Sequence, residues 1–228
     1  MSQIIKLSPL ATHESLQQFL LDIQNRRETH FAFAITRPLA SLSGPRLRNL
    51  LDLCLPMAQA RAVQLWQARD GRWQVTVRLR YRAGVRIADA YLNGDTSGLT
   101  CEEQATLSRA LAMVEAARQD APPPYLLARR LFDAARACAV YDNPVIGTAA
   151  YGQVISAVSA LVEGRANCQG FSDAYYLLGT LAGLQVGYQA GFKDRAPHLR
   201  NTIFLDGRWE SVDVTAGIFP TAQRQPAP

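Results

Sequence analysis

The pair Asp206-Gly207 constrains this chain more than any other feature of its sequence, because it separates two runs of alternating apolar and polar residues. The runs cover residues 198–205 and 208–215. An Asp-Gly pair between two alternating runs is typical of a hairpin with a two-residue turn. A two-residue turn pairs Leu205 with Arg208 and thereby fixes the partner of every other residue in both strands.

That register places two different sets of side chains on the two faces of the hairpin. One face holds the pairs Phe204–Trp209, Thr202–Ser211, Arg200–Asp213 and His198–Thr215. The other face is apolar except for Asn201, with Leu199, Ile203, Leu205, Val212 and Val214. His198 and Asp213 are diagonal neighbours on the first face, so the register predicts that an imidazole–carboxylate hydrogen bond can form between them.

A helix is predicted to begin at Cys168. Asn167 is a favourable N-cap, and apolar side chains recur every three or four residues up to a stop at Gly183, forming a stripe of Cys168, Phe171, Tyr175, Leu178 and Ala182. Cys168 therefore lies in the first turn of this helix. The unpaired amides and partial positive charge of a helix start favour thiolate over thiol.

Cys168, His198 and Asp213 are the predicted catalytic residues. A thiol nucleophile needs a base that ionises it and later protonates the leaving amine, and that base needs a carboxylate to fix its tautomer. His198 and Asp213 supply those two groups. The Cys168 amide is a predicted oxyanion donor, and Gln153 is a candidate for the second donor.

Three segments of the sequence resemble bacterial transglutaminase-like proteins, which belong to the papain-like superfamily of cysteine acyl-transfer enzymes. The segments are SALVEGRANCQGFSDA at 159–174, PHLRN at 197–201, and LDGRW at 205–209 with VDVT at 212–215. The similarity covers about residues 100–215, with Tyr141-Asp142 matching the usual approach to the core. It implies an α+β fold in which the cysteine helix packs on an antiparallel sheet, and a Cys–His–Asp triad. Residues 1–98 resemble the small α/β domain that often precedes such cores.

The sequence departs from the family pattern at two places. Leu199 and Arg200 stand between the His and the Asn, where the family usually has a small residue and an aromatic. The register places Arg200 opposite Asp213, where a salt bridge either competes for the carboxylate or holds it in place. After Thr215 the further strands that are usual in the family are absent.

Two functions are therefore open. The first is thiol-dependent acyl transfer on amide bonds of a protein or peptide, by a peptidase or amidase when water accepts the acyl group and by a transglutaminase when an amine does. The second is an inactive transglutaminase-like fold that serves as a binding or assembly module. The enzyme is the favoured hypothesis, while the substrate, the acyl acceptor and the oligomeric state stay open.

Composition narrows the class of protein. The chain has 228 residues and a net charge of +5, with four cysteines and three histidines. None of these residues shows metal-ligand spacing, so no cofactor or metal is expected. The exposed arginine face predicted at Arg78, Arg80 and Arg82 is interpreted as a solvated strand face, which makes a nucleic-acid partner unlikely. No apolar run spans a membrane and the N-terminus lacks a signal pattern, so we expect a cytoplasmic location.

Two domains and a tail are predicted along the chain. The polar, glycine-rich stretch 92–98 suggests a boundary between a small α/β domain at residues 1–98 and the transglutaminase-like core at residues 99–219. Residues 220–228 are predicted to be a disordered tail. Capping patterns at Thr12 and Thr100 and the turn Asp70-Gly71 are the other local predictions, together with a short helical stretch near 153–162.

Overall fold

The computed structural model describes residues 4–10, 12–35 and 44–221 of the chain. The chain divides into two compact units, Met1–Arg82 and Ala83–Pro228. Within the described ranges, no helix is both long enough and apolar enough to cross a membrane.

The first unit combines a four-stranded sheet with helices. Its described elements are β1 (Ile4–Leu10), α1 (His13–Asn25), β2 (His30–Ile35), α2 (Gly44–Cys54), β3 (Ala58–Gln67) and β4 (Trp73–Tyr81). The strand order is β1-β2-β4-β3, in which β1 and β2 are parallel and the other neighbours are antiparallel. The ring of Phe19 on α1 lies 5.8 Å from that of Phe31 and 5.5 Å from that of Phe33, so this helix covers one face of the sheet.

Local sequence signals in the first unit are confirmed. Thr12 and Ser15 form a capping box at the start of α1. The Asp70-Gly71 turn joins β3 to β4, with Gly71 at a φ of +81° that favours glycine. Arg78 and Arg80 are exposed on one face of β4, as the alternation predicts, whereas Arg82 follows the end of the strand at Tyr81, is half-buried and donates to the Pro56 carbonyl at 2.6 Å.

The second unit is an α+β domain. Its elements are α3 (Ala83–Leu92), α4 (Cys101–Arg118), α5 (Pro124–Ala137), β5 (Val140–Tyr141), α6 (Ala149–Gly152), a π-helical segment (Ser159–Glu163), β6 (Arg165–Ala166), α7 (Cys168–Leu181), β7 (Val186–Lys193), β8 (Ala196–Leu205) and β9 (Arg208–Val212). β7, β8 and β9 form an antiparallel sheet in that order, and β5 pairs with β6 in parallel. The α+β class predicted from the sequence is confirmed.

Helix α7 is the core of the second unit, because most of its residues are buried. Its Tyr175 ring packs edge to face against Phe132 of α5, with 6.2 Å between the ring centroids. On the sheet side, Asn201 of β8 donates to the carbonyl of Ser172 at 3.1 Å and to the carbonyl of Gly187 at 3.0 Å. These hydrogen bonds explain why a polar residue, Asn201, stands on the otherwise apolar face of β8: it connects the sheet to the helix.

The structure differs from the predicted boundaries at two places. The compact units divide between Arg82 and Ala83, rather than at residue 98, because α3 is hydrogen-bonded to α7 through Gly84. The short helical stretch predicted near 153–162 starts later than predicted, because α6 ends at Gly152 and the π-helical segment covers Ser159–Glu163, but it ends at Gly164 as predicted. Of the predicted tail, residues 222–228 lie outside the described residues.

Candidate active site

Cys168 is the first residue of α7, as predicted. Asn167 caps the helix, and its side-chain oxygen accepts from the amides of Gln169 at 2.9 Å and Gly170 at 3.4 Å. The Cys168 amide has no hydrogen-bond partner among the described residues. This leaves one N–H donor of the helix start, next to the sulfur, available to an oxyanion.

Gly170 allows a close approach between the first turn of α7 and the segment that precedes it. A Cβ added at this position would lie 2.6 Å from the carbonyl oxygen of Val154 and 2.9 Å from Cβ of Ala166. The amide of Asn167 donates to the same Val154 carbonyl at 2.9 Å. The helix start therefore rests directly on residue 154, and Gln153, the candidate second oxyanion donor, is the exposed residue before it.

His198 and Asp213 are joined by a hydrogen bond. The Nε2 atom of His198 lies 2.8 Å from Oδ2 of Asp213, and both side chains are largely buried. Because Nε2 is bound to the carboxylate, Nδ1 is the ring nitrogen left to act on a thiol. The other carboxylate oxygen, Oδ1, accepts from the amide of Ala216 at 3.0 Å, so both oxygens of Asp213 are held in place.

The hairpin register is confirmed from Leu205–Arg208 to Asn201–Val212. The predicted pairs Arg200–Asp213 and His198–Thr215 are wrong, because β9 ends at Val212. Asp213 pairs instead with Ile218, through backbone bonds of 2.8 and 2.9 Å that close a short loop.

The side chain of Arg200 does not take the Asp213 carboxylate. Its Nε donates to Oε1 of Gln189 on the neighbouring strand β7 at 2.9 Å. The possible competition between Arg200 and His198 is therefore not seen, and Asp213 is left to His198.

The loop that carries Asp213 is fixed to α5 by the residues that follow it. The ring of Phe219 lies 5.1 Å from Phe132 and 5.6 Å from Tyr125. The Tyr125 hydroxyl donates to the carbonyl of Pro220 at 2.7 Å. Residues 219 and 220 thus support the loop that carries Asp213.

Two contacts define how α7 lies along β8. Near the end of the helix, Gly179 approaches Val186, the strand partner of Ile203, so closely that an added Cβ would be 2.4 Å from a valine methyl. Seven residues earlier, Ser172 lies between Leu199 and Asn201, since its hydroxyl donates to the Leu199 carbonyl at 3.0 Å. Helix and strand therefore run in the same direction.

The same alignment brings the helix start level with His198. Four residues of α7 back from Ser172 correspond to about 6 Å along the helix, and two residues of β8 back from position 200 correspond to about 6.6 Å along the strand. Cys168 and His198 are the residues reached by these two steps. Among the described residues, the Cys168 sulfur has no hydrogen-bond partner. The evidence that it lies on the His198 side of the sheet is therefore the alignment of α7 along β8.

The other cysteines have different surroundings. All four cysteines are free thiols. Burial raises the pKa of the Cys138 thiol to about 11 and raises the pKa of the Cys54 thiol. Cys101 is exposed and, like Cys168, is the first residue of a capped helix. In the described ranges, no group of His, Cys, Asp and Glu could hold a metal ion.

Asp173 is a buried residue of this region whose role the sequence analysis missed. It is fully buried in α7, and its carboxyl oxygens accept from the amides of Gly84 at 3.0 Å and Ala157 at 2.8 Å and from the Tyr188 hydroxyl at 2.6 Å. These bonds join α3, the segment before the π-helical turn and β7 to the cysteine helix. The sequence does contain an indication of this role, because Asp173 is the one charged residue between Arg165 and Lys193.

A family comparison agrees with this geometry. Residues 111–214 match the model of the Transglutaminase-like superfamily, and this segment includes Cys168, His198 and Asp213. The chain has a transglutaminase-like core. A search of curated proteins finds no match to the sequence.

Three solved structures that are partly similar to this chain are longer than it. A transglutaminase (TGase) structure covers 97% of the chain at 13% identity and a TM-score of 0.46. A candidate cysteine protease from Cytophaga hutchinsonii covers 69% at 13% identity (TM-score 0.39), and the periplasmic domain of TgpA from Pseudomonas aeruginosa covers 72% at 16% identity (TM-score 0.39). The chain spans 62% of the length of the first two structures and 66% of the third.

Proposed function

We propose that this protein is a thiol-dependent acyl-transfer enzyme that acts on amide bonds of a protein or peptide through Cys168, His198 and Asp213. The observation that carries the proposal is the buried His198–Asp213 hydrogen bond, level along the sheet with the start of the cysteine helix. The match of residues 111–214 to the Transglutaminase-like superfamily supports it.

The first half of the reaction forms a thioester. His198 Nδ1 accepts the thiol proton, and the Cys168 sulfur attacks the carbonyl carbon of the amide. The oxyanion that forms accepts from the Cys168 amide. The C–N bond then breaks, and the imidazolium gives its proton to the leaving amine while Asp213 stabilises the cationic ring.

The second half releases the acyl group. Water or an amine loses a proton to His198 and attacks the thioester carbonyl, and the C–S bond breaks to restore the thiolate. Water gives a carboxylic acid, as in a peptidase or amidase, whereas an amine gives a new amide, as in a transglutaminase. We include a cytoplasmic location in the proposal, because four free thiols fit a reducing compartment.

The reactivity of Cys168 toward iodoacetamide tests the proposal. Alkylation forms an S–C bond and releases iodide, and only the thiolate reacts at an appreciable rate. At pH 6 an ordinary thiol with a pKa of about 8.5 is only about 0.3% ionised. Trypsin places the four cysteines on four different peptides, so mass spectrometry can follow each thiol separately.

Cys101 is the matched internal control, because it also begins a capped helix, whereas the one His–Asp hydrogen bond among the described residues is that of His198 and Asp213. We expect Cys168 to react at least about tenfold faster than Cys101 at pH 6, and this advantage to disappear in His198→Ala. Equal rates for the two thiols in the wild-type protein would contradict the enzyme and favour an inactive scaffold that serves as a binding or assembly module.

A further inference from the structure

The loop formed by residues 142–153 is attached to the cysteine segment at three points. At its start, the Asp142 amide donates to the Ala166 carbonyl at 2.9 Å. After its end, Val154 accepts from the Asn167 amide at 2.9 Å. Between these points, Nε2 of Gln169 donates to the Tyr151 hydroxyl at 2.7 Å.

The attachment points are the two residues before Cys168 and the one after it. The 142–153 loop therefore borders the sulfur on the side of the chain that precedes α7. Tyr141, the residue before this loop, lies close to Cys168. Burial raises the pKa of the Tyr141 hydroxyl, and the charge of Cys168 raises it further.

The side chains that this border presents are apolar and exposed. Val145 is 76% exposed, Ile146 is 69% exposed and Tyr141 is 53% exposed. Asp142 is the one charged residue of the loop, and it forms an ion pair with Arg165. A loop whose single charge is paired, whose exposed side chains are apolar and branched, and which is attached to the residues on both sides of a nucleophile is suited to bury an apolar group of a substrate.

We propose that Tyr141, Val145 and Ile146 form a specificity subsite that binds an apolar side chain of the protein or peptide substrate next to the amide bond that is cleaved. This inference rests on the proposed function, because it takes Cys168 as the nucleophile. The occupant is the substrate itself, since the three attachment points make the loop continuous with the residues around the sulfur.

Two alkylating probes of the same reactivity but different size test the subsite. Chloroacetamide and its N-hexyl derivative both form an S–C bond with a thiolate and release chloride, and they differ only in the apolar tail. The measured quantity is the rate constant for the hexyl probe divided by that for chloroacetamide, determined for Cys168 and for Cys101 on their separate tryptic peptides.

We expect this ratio to be at least about tenfold higher at Cys168 than at Cys101, because each buried methylene corresponds to roughly a fourfold change in binding. Ile146→Ala and Tyr141→Ala should each lower the ratio at Cys168 about three- to tenfold. Leu92→Ala is the matched control, since Leu92 is an exposed apolar residue of the same unit, at the end of α3. It should leave both rates unchanged.

The outcomes separate this inference from the proposed function. A ratio that is equal at Cys168 and Cys101, or that the loop variants do not change, overturns the subsite while fast chloroacetamide alkylation leaves the proposed function standing. A loop variant that slows both probes equally also overturns it, because the loop would then only support the fold. If chloroacetamide itself reacts no faster at Cys168 than at Cys101 at pH 6, the proposed function fails and the subsite fails with it.

Discussion

Replacement of Asp173 tests how the cysteine helix is held in the second unit. The carboxyl group of Asp173 accepts hydrogen bonds from Gly84, Ala157 and Tyr188, and no part of the residue is exposed. Asp173→Ala removes the acceptor of three buried hydrogen bonds. Each lost bond costs about 1–1.5 kcal/mol, so we expect the free energy of unfolding to fall by about 4 kcal/mol.

Asp173→Asn separates the loss of these bonds from the loss of the carboxylate. The amide oxygen of asparagine can accept from Gly84 and Ala157, and its NH₂ group can donate to the Tyr188 hydroxyl, which then acts as the acceptor. We therefore expect Asp173→Asn to cost less than about 2 kcal/mol.

Urea unfolding followed by far-ultraviolet circular dichroism measures both variants. Asp133→Ala is the control, because Asp133 forms an exposed ion pair with Arg129 and its loss should change stability by less than about 0.5 kcal/mol. A cost below about 1 kcal/mol for Asp173→Ala, or equal costs for the two Asp173 variants, would refute the argument that three buried donors depend on this side chain.

Three further predictions follow from single contacts. Arg200→Ala should leave the alkylation rate of the catalytic thiol within about twofold, because Arg200 binds Gln189 and not the triad; a loss of more than tenfold would contradict this. Gly170→Ala should slow alkylation at least about tenfold, because its new Cβ would collide with a backbone carbonyl, whereas Gly152→Ala has open space and should not change it. Burial raises the pKa of Cys138 from 9.0 to about 11, so its contribution to stability is complete below pH 9 and is lost between pH 9 and 11. Urea titrations at pH 8 and pH 11 should show a decrease of about 2 kcal/mol that Cys138→Ala lacks, and equal decreases in both proteins would exclude this contribution.

The sequence was most informative where local chemistry determines local structure. The Asp206-Gly207 turn fixed the register of β8 and β9, because both of its residues adopt the positive φ angles that such a turn requires. The Asn167 cap likewise defined the start of α7 and the position of Cys168. The predicted contact between His198 and Asp213 followed from the register that this turn sets.

The sequence was least informative where contacts distant in the chain decide the outcome. Alternation continued through Thr215, so nothing local showed that β9 ends at Val212 and that Asp213 pairs with Ile218. The support from Phe219 depends on packing against α5, which no periodicity reveals. The role of Asp173 also required three partners from separate elements, although its isolation as a charged residue was visible.

The central claim is that Cys168 forms a thioester with the help of His198, and trapping the acyl-enzyme tests it most directly. After brief incubation with p-nitrophenyl acetate, the account predicts an acetyl group on the tryptic peptide that contains Cys168. Hydroxylamine should remove this group, and it should be absent in His198→Ala. Acetylation of Cys101 to the same extent, or an unmodified Cys168, would contradict the account.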